Sequence, residues 1–173
     1  MNKREKRFKD STADAAYQWG MNDLFFNKDY FKSAKAFKQH LDQYNSLMKD
    51  VLPHADMLIQ KYSAQSGSIA RKQLAYIEAL KATGRSNVSN ADPYGTMVHE
   101  LGHYLDDQIF RNAMKAKGFD ISESYQKYAR GISGYATADT KEYVAESFLA
   151  YWIGERDNID PGLIEIFEGA KKR

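Results

Sequence analysis

His99, Glu100 and His103 form the pattern H-E-x-x-H within Thr96-Met97-Val98-His99-Glu100-Leu101-Gly102-His103-Tyr104-Leu105-Asp106-Asp107. On a helix, residues four apart share a face, so two imidazoles can be aimed at one metal ion with Glu100 beside them, next to a water that the ion activates. This is how a zinc hydrolase makes a nucleophile at neutral pH. The chain commits two of its four histidines to the pattern, which makes chance a poor explanation. The bland alternative is an amphipathic helix carrying two half-buried histidines.

A structural zinc site is closed by four protein ligands, whereas a catalytic one uses three and keeps a position for water, so the next question is the third ligand. The chain has no cysteine, and a metal site must be built from His, Asp and Glu. The extended pattern H-E-x-x-H-x-x-G-x-x-H requires Gly at 106 and His at 109. This chain has Asp106 and Ile109, which excludes the metzincin arrangement. Asp107 shares the face of His103, but a third consecutive turn would strain one tetrahedral shell. Asp106 and Asp107 are better read as capping groups, or as groups that support the ligands through hydrogen bonds.

Glu142 and Glu146 place two carboxylates on one face of a largely apolar helix. Stacked like charges repel, so a cation or a hydrogen-bond donor must compensate one of them. A natural division makes Glu142 the metal ligand and Glu146 the acceptor for an imidazole N–H. The alternative is a pair of solvent-facing glutamates. His40 and His54 have no partner at ligand spacing and read as surface or capping residues.

Taken together, His99-Glu100-Leu101-Gly102-His103 with Asp106-Asp107, then Ser133-Gly134-Tyr135, then Glu142-Tyr143-Val144-Ala145-Glu146-Ser147-Phe148, resemble the catalytic domain of the lethal-factor-like (anthrax lethal factor type) zinc metalloendopeptidases. The resemblance covers residues 85 to 155, about 40 percent of the chain. It implies a zincin-like domain of the gluzincin type, with zinc held by His99, His103 and Glu142. It also implies Glu100 as general base, Tyr135 as a donor to the oxyanion, and Glu146 behind a ligating histidine. The pair Tyr143-Val144 departs from the aromatic doublet of the family, which affects packing more than chemistry. Domains of this kind also occur within phage minor head proteins and mobile-element proteins. A zinc-binding assembly module without turnover is therefore the competing expectation.

The elements that must position these residues are set by periodicity. Asp92-Pro93 reads as a cap and first helical residue launching the motif helix, with Met97, Val98, Leu101, Leu105 and Ile109 as its buried face and Gly118 as its stop. Gly102 costs about 1 kcal/mol relative to Ala in a helix, which suggests that something packs closely there. Asp139 or Thr140 caps a helix running through Ile153, and Asp160-Pro161 starts a last one through Phe167. A short helix over Ile121–Arg130 leads into the glycine-punctuated loop Gly131-Ile132-Ser133-Gly134-Tyr135.

Upstream, apolar positions from Phe31 to Leu52 recur at spacings of three and four, predicting a helix from Asp29 to about Leu52. Pro53 opens another, and Ile69–Leu80 forms a third that stops near Gly84. Arg85-Ser86-Asn87-Val88-Ser89-Asn90 is rich in poor helix formers. It reads as a short strand or extended loop whose free backbone groups could pair with a peptide. The expected fold is thus mainly α with a small β element. A basic arm (1–10) precedes an N-terminal helical part (11–84), packed as one domain with a catalytic part (85–173).

Length and composition, 173 residues with 43% hydrophobic and 28% charged, suit one globular domain. The net charge is +2, with 15 basic against 9 acidic groups in residues 1–90 and 10 against 14 thereafter. The motif therefore lies in the acidic half. Neither a membrane span nor a secretion signal is visible, so the expected setting is cytoplasmic, or part of a phage or a delivered protein. The arm alone is weak support for nucleic acid, and the expected partner is a peptide or protein substrate.

Overall fold

The structure is a computed structural model that describes residues 15–18, 23–26, 31–91 and 93–170. The basic arm and the proposed Asp92 cap lie outside the described residues.

The described chain is mostly helical. It opens with a two-stranded antiparallel hairpin, β1 (Ala15–Gln18) and β2 (Asp23–Phe26), in which Tyr17 faces Leu24 across the ladder. Helix α1 (Ala34–Val51) starts at Ser33, whose Oγ accepts from Ala36 N at 3.1 Å. A 3₁₀ turn at Leu52–His54 takes Pro53 in its first turn, where a missing N–H is tolerated, and leads into α2 (Ala55–Ser63). Helix α3 (Ser68–Thr83) ends at Gly84 in the left-handed conformation, with φ 70°.

The segment 85–90 is not a strand. It runs through a bend into a 3₁₀ turn at Val88–Ala91, and the hairpin is the one sheet among the described residues. The reason lies in its backbone partners. Arg85 O and Ser86 O accept from Gly134 N and Tyr135 N, and Val88 N donates to a buried carboxylate, so these groups are not available to a bound peptide.

Helix α4 (Pro93–Leu105) carries the motif. A π-helical turn at Asp106–Phe110 then joins it to α5 (Arg111–Lys117), which stops at Gly118 with φ 65°. Periodicity alone predicts one uninterrupted helix over this span. The wider π turn rotates the downstream residues, so that Asp106 and Phe110 are both fully buried. Met97, expected on the buried face, is 47% exposed. Val98, Leu101, Leu105 and Ile109 pack against the core.

Helix α6 (Ile121–Ile132) is capped by Asp120, and α7 (Thr140–Trp152) by Asp139, whose carboxylate accepts from Lys141 N at 2.8 Å and Glu142 N at 3.1 Å. Such a cap is worth about 1 kcal/mol. The last helix, α8, spans Pro161–Ala170.

α7 is the central helix. Every residue from Tyr143 to Tyr151 is buried, because α4 covers one side, α6 and a 3₁₀ turn at Tyr135–Thr137 another, and α8 the end. Phe167 of α8 meets Phe110, Phe148 and Tyr151 with ring centroids 4.8, 5.4 and 5.5 Å apart, a favoured range for aromatic packing. Helix α3 packs on both α2 and α6, which ties the upstream helices to the half that carries the motif. No helix of the described residues is long and apolar enough to cross a membrane.

Candidate metal centre

Two helices of the core bring the site together. α4 presents His99 and His103 one turn apart, their rings nearly perpendicular with centroids 4.8 Å apart. α7 presents Glu142 in its first turn, where the Asp139 cap holds the backbone. His99 Nε2 lies 3.1 Å and His103 Nε2 3.2 Å from the same oxygen, Glu142 Oε2.

Both histidines are buried, and Glu142 is the half-open side of the cluster. These residues could hold a metal ion, since their ligand atoms all lie within 4.8 Å of one another. Ligand atoms about 2.1 Å from a tetrahedral ion sit about 3.4 Å apart, close to the spacings between Glu142 and each ring. Two imidazole nitrogens and one carboxylate oxygen are a donor set suited to zinc and its neighbours among the divalent ions.

The close approach of α4 and α7 depends on Gly102. A Cβ placed there would fall 3.0 Å from Ala145 Cα and 3.3 Å from Ala145 O. Gly95 has the same role one face round. Its missing Cβ would meet Ser89 O at 2.8 Å and Ser89 Cα at 2.9 Å. Helix propensity disfavours Gly95 as much as Gly102, so the same signal in the sequence could have pointed to this second close approach.

Glu146 is fully buried and fully engaged. Its Oε1 lies 2.8 Å from His99 Nδ1, while Oε2 accepts from Val88 N at 2.7 Å and from Ser133 Oγ at 2.6 Å. Sequence assigns no role to the Ser133 hydroxyl or the Val88 amide. Pattern reasoning has no handle on a backbone donor 58 residues away from its acceptor.

Electrostatics in the cluster are dominated by competition between burial and ion pairing. Burial alone would lower the pKa of His99, but the hydrogen bonds that the ring donates to Glu142 and Glu146 and the nearby negative charges overcome it and push it up to about 10. Burial would raise that of Glu142. The two imidazoles overcome it and hold the carboxyl down at about 2. In this state the positive charge that three acidic neighbours demand is a proton on the ring. A divalent cation would supply it instead.

Glu100 is buried beside the rings. Its pKa is raised by burial, offset in part by the two histidines and raised again by Glu142. One carboxylate oxygen, Oε2, has no hydrogen-bond partner among the described residues, and the Tyr17 backbone N–H donates to the same carboxylate. Tyr135 lies on the open side, 42% exposed, its ring 5.7 Å from that of His99 and tilted by 30°. Burial of its hydroxyl and the charges of Glu142, Glu100 and Glu146 raise its pKa far beyond the ordinary phenol value, so the hydroxyl stays a donor.

The two aspartates after the motif serve different elements. Asp106 is fully buried, accepts from Arg111 Nη2 at 3.0 Å, and is influenced by the charge of His103. Asp107 accepts from the Tyr17 hydroxyl at 2.8 Å, which fastens the hairpin to the π turn, while Tyr17 packs edge-on against Tyr104 of α4. Asp107 thus ties down an upstream element that no sequence pattern foretells. His54 is exposed on its 3₁₀ turn, and the side chain of His40 lies outside what is described. Tyr143 and Val144 are fully buried, with Tyr143 Oη 2.9 Å from Ser124 Oγ.

No protein-family profile, curated protein or solved structure matches this chain.

Proposed function

We propose that the chain is a zinc-dependent metalloendopeptidase with a zincin-like domain, of the kind that the lethal-factor-like motifs suggest. The observation that carries this reading is the convergence of His99 Nε2, His103 Nε2 and Glu142 Oε2 beside a buried Glu100 oxygen that has no partner among the described residues. A metal site serving only to stabilise the fold has no use for such a base.

Zinc bound by these three residues would polarise a scissile carbonyl and bring the pKa of a water toward about 7. Glu100, whose Oε2 is buried without a partner among the described residues, would accept a proton from a metal-activated water and give it to the leaving amine nitrogen. The Tyr135 hydroxyl, on the open side and held protonated, donates to the oxygen that gains negative charge. Glu146 accepts from His99 Nδ1, which leaves the Nε2 lone pair for the metal.

The test uses the full chain, wild type and Glu100→Gln, loaded with zinc and incubated with a peptide mixture that is then profiled by mass spectrometry. The expected result is cleavage by wild type that a chelator abolishes, with E100Q retaining zinc and losing at least about 100-fold in rate. Wild-type protein that binds zinc and cleaves nothing would favour a zinc-stabilised assembly module of a phage or mobile-element protein.

A further inference from the structure

Ser133 sits between the end of α6 and the 3₁₀ turn that carries Tyr135, and it is fully buried. Its hydroxyl makes two contacts with opposite directions. Ala136 N donates to Oγ at 3.0 Å, so Oγ must use its one hydrogen elsewhere, and Glu146 Oε2 lies 2.6 Å away to receive it. Val88 N donates to that same oxygen at 2.7 Å. With two donors on Oε2, the remaining oxygen, Oε1, faces His99 Nδ1 as acceptor.

We propose that Ser133 is a positioning residue for the metal site: its hydroxyl proton orients Glu146, and through it the His99 ring, while its oxygen anchors the turn that places Tyr135. This rests on the metalloenzyme reading above and adds to it a residue that links the ligand helices to the loop bearing the oxyanion donor. The geometry has little slack. Gly134 is the next residue, and a Cβ there would meet the Tyr76 ring at 2.7 Å, so the turn lies closely packed against α3. Without the Ser133 hydroxyl, Ala136 N loses its acceptor and Glu146 keeps one donor on Oε2, which frees the carboxylate to rotate away from His99.

The test compares full-length wild type, Ser133→Ala and Ser133→Thr for zinc affinity by chelator competition and for the visible absorption of the cobalt(II) form. Both readouts are independent of turnover. The expected result is weaker zinc binding by S133A, at or below the lower end of the about 10- to 100-fold that loss of a ligand's direct partner costs, with altered cobalt bands and with S133T close to wild type in both. Should S133A fail to fold, Ser133→Val against S133T isolates the hydroxyl at equal shape. Weaker binding by S133V supports the role, and equal binding overturns it. Wild-type affinity and spectrum in folded S133A also overturn it, while leaving the metal site intact. Wild-type protein that takes up neither ion overturns the metal-site reading itself.

Discussion

Gly102 of α4 and Ala145 of α7 are in backbone contact, with only 3.0 Å between the place a Gly102 Cβ would occupy and Ala145 Cα. This contact sets the distance between the helix that bears the two histidines and the helix that bears Glu142. Gly102→Ala gains about 1 kcal/mol in helix propensity and loses about 1–3 kcal/mol to overpacking against a backbone that cannot move aside. The expected outcome is a lower Tm and weaker zinc binding, read by thermal unfolding with and without chelator. A G102A protein that is more stable and binds zinc as wild type would show that the contact has slack.

Glu142→Gln and Glu146→Gln should separate two roles. On the proposed reading the first weakens a metal ligand, and zinc affinity should fall by at least about 100-fold; the second removes the charge behind His99 and sets an amide NH2 against one of the donors from Val88, His99 and Ser133, and the fall should be about 10- to 100-fold. Chelator competition on both variants checks the order. Equal losses would mean that the two carboxylates are not divided as their distances to the imidazoles indicate.

Stability of the metal-free protein should peak on the acid side of neutrality. His99 titrates near 10 in the fold against 6.5 as a free side chain, so its contribution is complete below pH 6.5 and is lost as pH rises toward 10. Glu142 titrates near 2 against 4.5, so its contribution is complete above pH 4.5 and is lost as pH falls toward 2. Glu100 and Asp106, both raised by burial, weaken the fold as pH climbs through the ordinary carboxylate range. Denaturant midpoints of chelator-treated protein should therefore be highest between about pH 4.5 and 6.5. Bound zinc would displace the His99 proton and should move the optimum to higher pH. A chelated protein most stable above about pH 8 would contradict the assignment.

Tyr135→Phe removes the donor and keeps the ring against His99. Zinc affinity should be retained while peptide cleavage falls by about 100-fold or more, mostly in kcat. An unchanged kcat would remove Tyr135 from the chemistry.

Much of the site's address is legible in sequence because its key spacings are helical. H-E-x-x-H and the Glu142–Glu146 pair each lie within one helix, where position in sequence translates directly into position on a face. Gly102 is legible for a similar reason, since an unfavourable helix residue between two histidines needs a packing explanation. The features that escape a sequence pattern depend on tertiary contacts. The stretch 85–90 looks extended by propensity. Instead it folds into a turn whose carbonyls serve the Tyr135 loop and whose Val88 amide serves Glu146. The π turn after Leu105 leaves no periodic trace in five residues, and the Tyr17 hairpin is recognised only through its anchors on Tyr104 and Asp107.

Glu146 gathers donors from Val88, His99 and Ser133, positions up to 58 residues away along the chain. A synthetic peptide spanning Pro93–Leu105 would keep both imidazoles yet behave as a loose two-point chelator, because the groups that aim the rings belong to other parts of the polypeptide. On the proposed reading, tight metal capture should therefore come late in folding. The appearance of cobalt absorption during refolding would time the arrival of the last element, with no label attached to the protein.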